Sequence, residues 1–211
     1  MRFLAGLWRL ATAAFALAGT YDAWMLVRPD KLVFFTYESN LALAFVMIWA
    51  GFASWLRGIE PPAWLKGCVT VYMVVTGLVA AVALPPFDPA VTPFAFGVMT
   101  TTWAHMVTPV MAVVDFALFD EHHRMKWWYP LSWLAYLPVY VAFVLVRAHF
   151  FPGSGPLEDG GTIPYAFLDL GALGWRQFGI NMGIYGAVFL AIGLVVMILD
   201  RLLPARVVRR R

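Results

Sequence analysis

Cysteine is nearly absent. Cys68 stands alone in 211 residues, so no intramolecular disulfide forms, and no zinc-type ligand spacing is present. Cys68 itself lies in an apolar run, where a free cysteine usually serves as a small core residue. Charge is scarce as well. Only 13% of residues are charged, about half of the roughly 25% usual in soluble domains. Repeats and low-complexity segments are missing too. What fills the chain is apolar, with 62% of residues hydrophobic. A soluble core cannot hide that much apolar surface, so lipid is the expected solvent. The composition predicts a single-domain, all-α, polytopic integral membrane protein.

Six apolar stretches are each near or above the ~20 residues that a spanning helix needs. They cover residues 3–27, 32–55, 66–84, 96–119, 127–150 and 178–203, and predict a six-helix bundle with a long outer loop over 151–177. Proline, glycine and charge clusters punctuate them, as at Arg28-Pro29-Asp30-Lys31, Pro85-Pro86-Phe87-Asp88-Pro89 and Asp120-Glu121-His122-His123-Arg124. Arg2, the apolar run and Ala16-Leu17-Ala18-Gly19 have the form of a cleaved signal. Apolar character continues through Trp24, Met25 and Leu26, so a retained first helix is preferred.

Basic residues set the expected orientation. An N-terminus in the cytoplasm puts Arg2, Arg57, Lys66, Arg124, Lys126 and the arginine tail (Arg201, Arg206, Arg209, Arg210, Arg211) inside. Only Arg28, Lys31, Arg147 and Arg176 fall outside, so both termini are expected to be cytoplasmic in a plasma (inner) membrane. The tail directly follows an apolar helix, which favours topology over nucleic-acid binding. Trp24, Trp55, Trp64, Trp127, Trp128 and Trp175 cluster where the membrane interfaces fall. In the outer loop, Gly153-Ser154-Gly155 reads as linker, and Pro164-Tyr165-Ala166-Phe167-Leu168-Asp169 as a lid folding over the bundle.

Polar residues within spans are costly and mark function. Thr36 and His105 are the sharpest pair. At ~1.5 Å per residue they lie roughly 6 Å and roughly 13 Å below the outer surface. Thr36, Ser39 and Asn40 share one helix face, and Thr101, His105 and Thr108 share another. Asp22, Arg147 and Asn181 sit near the outer ends of their helices. A polar chamber opening to the outer leaflet would collect these groups. In it, His105 would deprotonate the Thr36 hydroxyl, Asp22 or Asp169 would orient the imidazole, and Asn40, Asn181 or Arg147 would stabilise an oxyanion. Blander roles compete: threonine bonding its own i−4 carbonyl, or histidine packing helices or lining a pore. Arg9 and Asp115 match in depth and are read as a structural ion pair. His122 and His123 are read as solvated loop residues.

Phe34-Phe35-Thr36-Tyr37-Glu38-Ser39-Asn40-Leu41 resembles the start of helix two in the androgen-induced and androgen-dependent (ADTRP-like) membrane proteins and their bacterial six-helix relatives. His105, followed by Pro109 and Asp115, resembles that family's histidine-bearing helix, and Tyr165-Ala166-Phe167-Leu168-Asp169 its Tyr-Pro-Phe-Leu-acid loop. Ala166 stands where the loop pattern has proline. The resemblance implies an intramembrane threonine hydrolase acting on fatty acid esters of hydroxy fatty acids, with Thr36 and His105 catalytic. The expected function is therefore hydrolysis of a lipid ester, without cofactor or metal. Membrane lipids and an acyl ester would be the partners, and nucleic acid would not. Ser39, Asn40, Asp22, Arg147, Tyr165, Asp169 and Asn181 would support the site. A transporter or channel, or a lipid-binding bundle, is the alternative.

Overall fold

The computed structural model describes residues 1–157 and 160–205. The chain is mostly helical. Its elements are α1 (Arg2–Gly19), α2 (Tyr21–Trp24), α3 (Phe35–Leu56), α4 (Ala63–Ala83), the strands β1 (Phe94–Ala95) and β2 (Val98–Met99), α5 (Thr100–Thr102), α6 (Thr108–Phe119), α7 (Tyr129–Leu134), α8 (Tyr136–Phe150) and α9 (Leu170–Leu202). A π-helical turn over Trp103–Val107 joins α5 to α6. Among the described residues, five helical stretches are long and apolar enough to cross a membrane: Phe35–Leu56, Ala63–Ala83, Thr100–Phe119, Tyr129–Phe150 and Leu170–Leu202. Most of the arginine tail (Arg206 and Arg209–Arg211) lies outside the described residues.

The helix ends differ from the expected ones for local reasons. The first stretch stops at Gly19, where the Thr20 hydroxyl donates to the Ala16 carbonyl at 3.2 Å, and α2 follows as a separate turn. The fourth begins at Thr100 rather than at residue 96. Before it, Phe94 pairs with Met99 and Ala95 with Val98, around a hairpin whose Phe96 and Gly97 both have positive φ. The fifth is broken at Ala135, because Pro138 has no N–H for the carbonyl four residues back. The sixth starts at Leu170, eight residues earlier than expected, with Asp169 accepting from the Ala172 N–H at 3.0 Å. It kinks at Gly174, whose φ of 69° and ψ of 163° suit only glycine.

α1 lies along α3, and α4 packs on α3 and α6. Their shared core is small-residue and aliphatic: Ala13, Ala16, Leu43, Ala44, Met47, Val69, Met73 and Ala112. Small side chains let helices approach closely, which is how helices associate where lipid removes the hydrophobic drive. A second core gathers Phe35, Val71, Trp133, Tyr140, Leu168 and Phe189. Cys68 is buried there, as expected of a small apolar residue. Outward faces stay apolar, with Phe45, Phe52, Val139, Phe143 and Ile184 exposed.

At the end opposite Thr36, Arg9 is buried within an ion cluster. Its Nε donates to Asp115 at 2.9 Å, one Nη to Glu60 at 2.9 Å and Ser54 at 2.7 Å, and the other to Asp120 at 2.9 Å. Lys66 lies inside α4 rather than at a loop edge. It bonds Asp115 and reaches Asp120 at 3.1 Å. The Arg9–Asp115 pair is thus the centre of a network of five charged residues and Ser54. His122 corrects the solvated reading. It is buried with its ring edge-on to Phe116, 3.6 Å from Asp200. The loop is pulled in because Asp200 accepts from the Arg124 and Met125 N–H groups at 3.0 Å and its carbonyl from His123 N. His123 stays exposed.

Candidate functional site

Thr36 is the second residue of α3, and His105 sits mid-way along the π-helical turn. The wide turn explains why the histidine is usable. A regular helix engages each carbonyl with the N–H four residues on, whereas a π turn shifts that pairing and frees acceptor capacity. Side chains take it up here. His105 Nδ1 lies 3.0 Å from the Thr101 carbonyl. Asn40 Nδ2 donates to the Ala104 carbonyl at 3.2 Å, while the Trp103 carbonyl is engaged by the Thr108 N–H. A carbonyl only accepts, so Nδ1 carries the proton of the neutral ring and Nε2 holds the free lone pair. The Thr36 hydroxyl therefore donates to His105 Nε2, at 3.0 Å. That is hydrogen-bond reach for a nucleophile and its base.

Two close approaches hold the turn. A Cβ on Gly19 would stand 2.9 Å from the Ala104 backbone nitrogen, and one on Gly77 3.2 Å from the His105 carbonyl oxygen. Neither position has room for an unshifted side chain. Phe87, from the loop before β1, covers the imidazole with ring centroids 5.0 Å apart.

Ser39 and Asn40 support Thr36 through its backbone. Ser39 Oγ donates to the Thr36 carbonyl at 3.1 Å and meets Thr76 Oγ at 3.0 Å. Asn40 Nδ2 donates to the same carbonyl at 2.9 Å, while its Oδ1 accepts from Thr108 at 2.7 Å. Both amide hydrogens of Asn40 are thus committed to carbonyls. It clips α3 to the π turn and is not an oxyanion donor.

The other expected helpers are elsewhere. Asp22 accepts from the Tyr37 hydroxyl at 2.7 Å, and Asp169 caps α9, so a backbone carbonyl and not a carboxylate orients His105. Arg147 donates to the Thr162 and Ser154 carbonyls and so holds the outer loop. Asn181 donates to the Phe167 carbonyl at 3.2 Å and accepts from Gln177 at 3.0 Å. Each of these polar groups is satisfied locally, which is why no shared polar chamber forms from them. Glu38 turns away and accepts from Tyr136 at 2.5 Å.

Tyr165 does reach the site. Its loop folds inward through a 3-10 turn at Ala166–Leu168, and its ring stacks on Phe167 at 5.1 Å. The hydroxyl lies 3.5 Å from Thr36 Oγ. Burial pushes it up to about 12, against the opposing pull of its Thr36 hydrogen bonds, so it is a neutral phenol with a proton to donate.

Thr36 also borders a cavity of about 680 Å³. The lining is apolar along most of its length, including Val79, Leu134, Val141, Met182 and Phe189. Polar atoms enter it through Thr36, Thr76 and a few tyrosines. The chamber that the sequence predicts to be polar is therefore an apolar one with a hydroxyl cluster on one wall. Thr76, Ala104, Thr101's carbonyl and Phe87 are site residues that sequence reading missed. Among the described residues no group of three or more histidine, cysteine or acidic side chains is arranged to hold a metal. No family model, curated protein or solved structure matches this chain.

Proposed function

We propose that the protein hydrolyses a lipid ester within the membrane, with Thr36 as nucleophile and His105 as general base. The observation that carries this is the 3.0 Å Thr36 Oγ–His105 Nε2 contact, with the ring's other nitrogen fixed as donor by the Thr101 carbonyl. His105 takes the Thr36 proton as Oγ attacks the ester carbonyl carbon. Tyr165 donates to the developing oxyanion, aided by the positive N-terminal end of α3. Collapse expels the alcohol, which takes the proton from Nε2, and leaves an acyl-threonine. His105 then deprotonates a water that releases the carboxylic acid and restores Thr36.

The same reading includes six spans with both termini cytoplasmic in an inner membrane. α1 would be the sixth. Its 18 residues extend ~27 Å at the usual helical rise, close to a hydrocarbon core of ~30 Å. Its Arg9 charge is met by carboxylates rather than exposed to lipid. Arg2, Lys66 and Arg124 gather around that cluster, away from Thr36, in keeping with a cytoplasmic face there. The resemblance to androgen-dependent threonine hydrolases points the same way.

Thr36→Ala and His105→Ala proteins, reconstituted and shown to be folded, should each lose at least about a thousandfold in kcat toward acyl esters, as loss of a nucleophile or its base does. Full turnover in either folded variant rules the mechanism out.

A further inference from the structure

The hydrolase reading leaves open where the hydrocarbon of the substrate goes. We propose that the cavity between α8 and α9 takes one straight acyl chain, that of the ester's acid part, admitted sideways from the lipid. Gly186 sets how long a chain is accepted. The assignment of that chain to an ester rests on the hydrolase reading; the chain-binding cavity does not.

Three observations converge on it. The first is the lining. Hydroxyls of Thr36, Thr76 and Tyr165 mark one region, and hydrocarbon such as Val79, Leu137, Val141 and Met182 forms the rest. A ligand that fits is polar at one point and apolar along its length. The second is size. At about 30 Å³ per methylene-sized group, the liquid share of a water molecule, the cavity holds roughly 20 groups, the size of one long acyl chain. The third is the wall. The spans that contain α8 and α9 are the least buried of the five, and α9 packs on α4 and α7, whereas the α8 backbone packs closely on no helix but α7.

Gly186 lies on that wall. A Cβ there meets no heavy atom within 4 Å, and the same is true of Gly179 and Gly183, which share its helix face. A side chain at position 186 therefore starts into open space on the cavity wall, and a large one takes up room that the chain would otherwise fill.

The test uses the full chain in lipid nanodiscs. With para-nitrophenyl butyrate and palmitate as substrates, Gly186→Phe should lower the palmitate-to-butyrate ratio of kcat/KM about tenfold or more, since each excluded methylene forfeits burial. An unchanged ratio overturns the proposal. A second arm needs no turnover. Thr36→Ala and Thr36→Ala/Gly186→Phe proteins are photolabelled with palmitic acid carrying a mid-chain diazirine, and adducts are mapped by mass spectrometry. Adducts at Val141 and Met182 in the first protein, lost in the second, support the chain site. Adducts confined to lipid-facing residues such as Phe143 and Ile184, alike in both, overturn it. Cavity labelling from a wild-type protein that cleaves no ester would uphold the chain site and sink the hydrolase reading alone.

Discussion

Arg9→Met and Asp115→Asn should destabilise the protein unequally, although they break the same ion pair. The cluster holds two cations, Arg9 and Lys66, and three carboxylates, Glu60, Asp115 and Asp120. Asp115→Asn leaves two of each, and Asp120 still meets both cations, at 2.9 and 3.1 Å. Its cost is that of weakened hydrogen bonds to buried charges, about 1–3 kcal/mol. Arg9→Met leaves three carboxylates around one ammonium. It also strips donors from Ser54 and from the Ala50 and Phe119 carbonyls. Removing one partner from a buried pair costs about 3–5 kcal/mol, and the surplus negative charge places this variant in that range. The double variant should cost less than the sum of the singles by at least about 1 kcal/mol, as contacting residues do. Reversible denaturant unfolding in micelles, followed by tryptophan fluorescence, gives all three values. If Asp115→Asn costs as much as Arg9→Met, or if the two effects simply add, charge balance within the cluster is not what holds this end together.

Two further outcomes bear on the other end. Tyr165→Phe removes the hydroxyl 3.5 Å from Thr36 Oγ but keeps the ring stacked on Phe167; kcat should fall about 10- to 100-fold, less than for a short oxyanion contact, with KM nearly constant in steady-state ester assays. A rise in KM alone would make Tyr165 a binding residue instead. Gly19→Ala drives a methyl against the Ala104 backbone, so it should cost about 1–3 kcal/mol as overpacking does and slow turnover by displacing the π turn. Wild-type melting and rate in that variant would show that α1 yields freely.

Much of the helical organisation was legible because hydropathy alone reports it. The approach of Thr36 to His105 was legible too, since two polar side chains at compatible depths have few other places to go. The carboxylates misled for the same reason: depth was known but azimuth was not. Asp22 found Tyr37, and Asp169 found the N-terminus of α9. The ion cluster was half legible. Arg9 and Asp115 stand out in apolar helices, but Glu60 and Asp120 come from loops whose inward fold no periodicity encodes. The π turn left no signal that pattern reading detects. The cavity was hidden most completely. In a chain this apolar, a leucine that lines a cavity and a leucine that faces lipid look alike, and only the packing of α4, α7, α8 and α9 around the cavity separates them.

The π-helical turn makes the candidate site a matter of chain length as well as composition. A turn closed over five residues instead of four contains one residue more than a regular helix requires. Remove one residue other than His105 from the Trp103–Val107 turn and an ordinary helix is restored, with its backbone N–H groups reclaiming the carbonyls that the side chains of His105 and Asn40 now occupy. Two chains carrying the same threonine and the same histidine would then differ in whether the imidazole presents a lone pair to the hydroxyl, through a single residue that is neither.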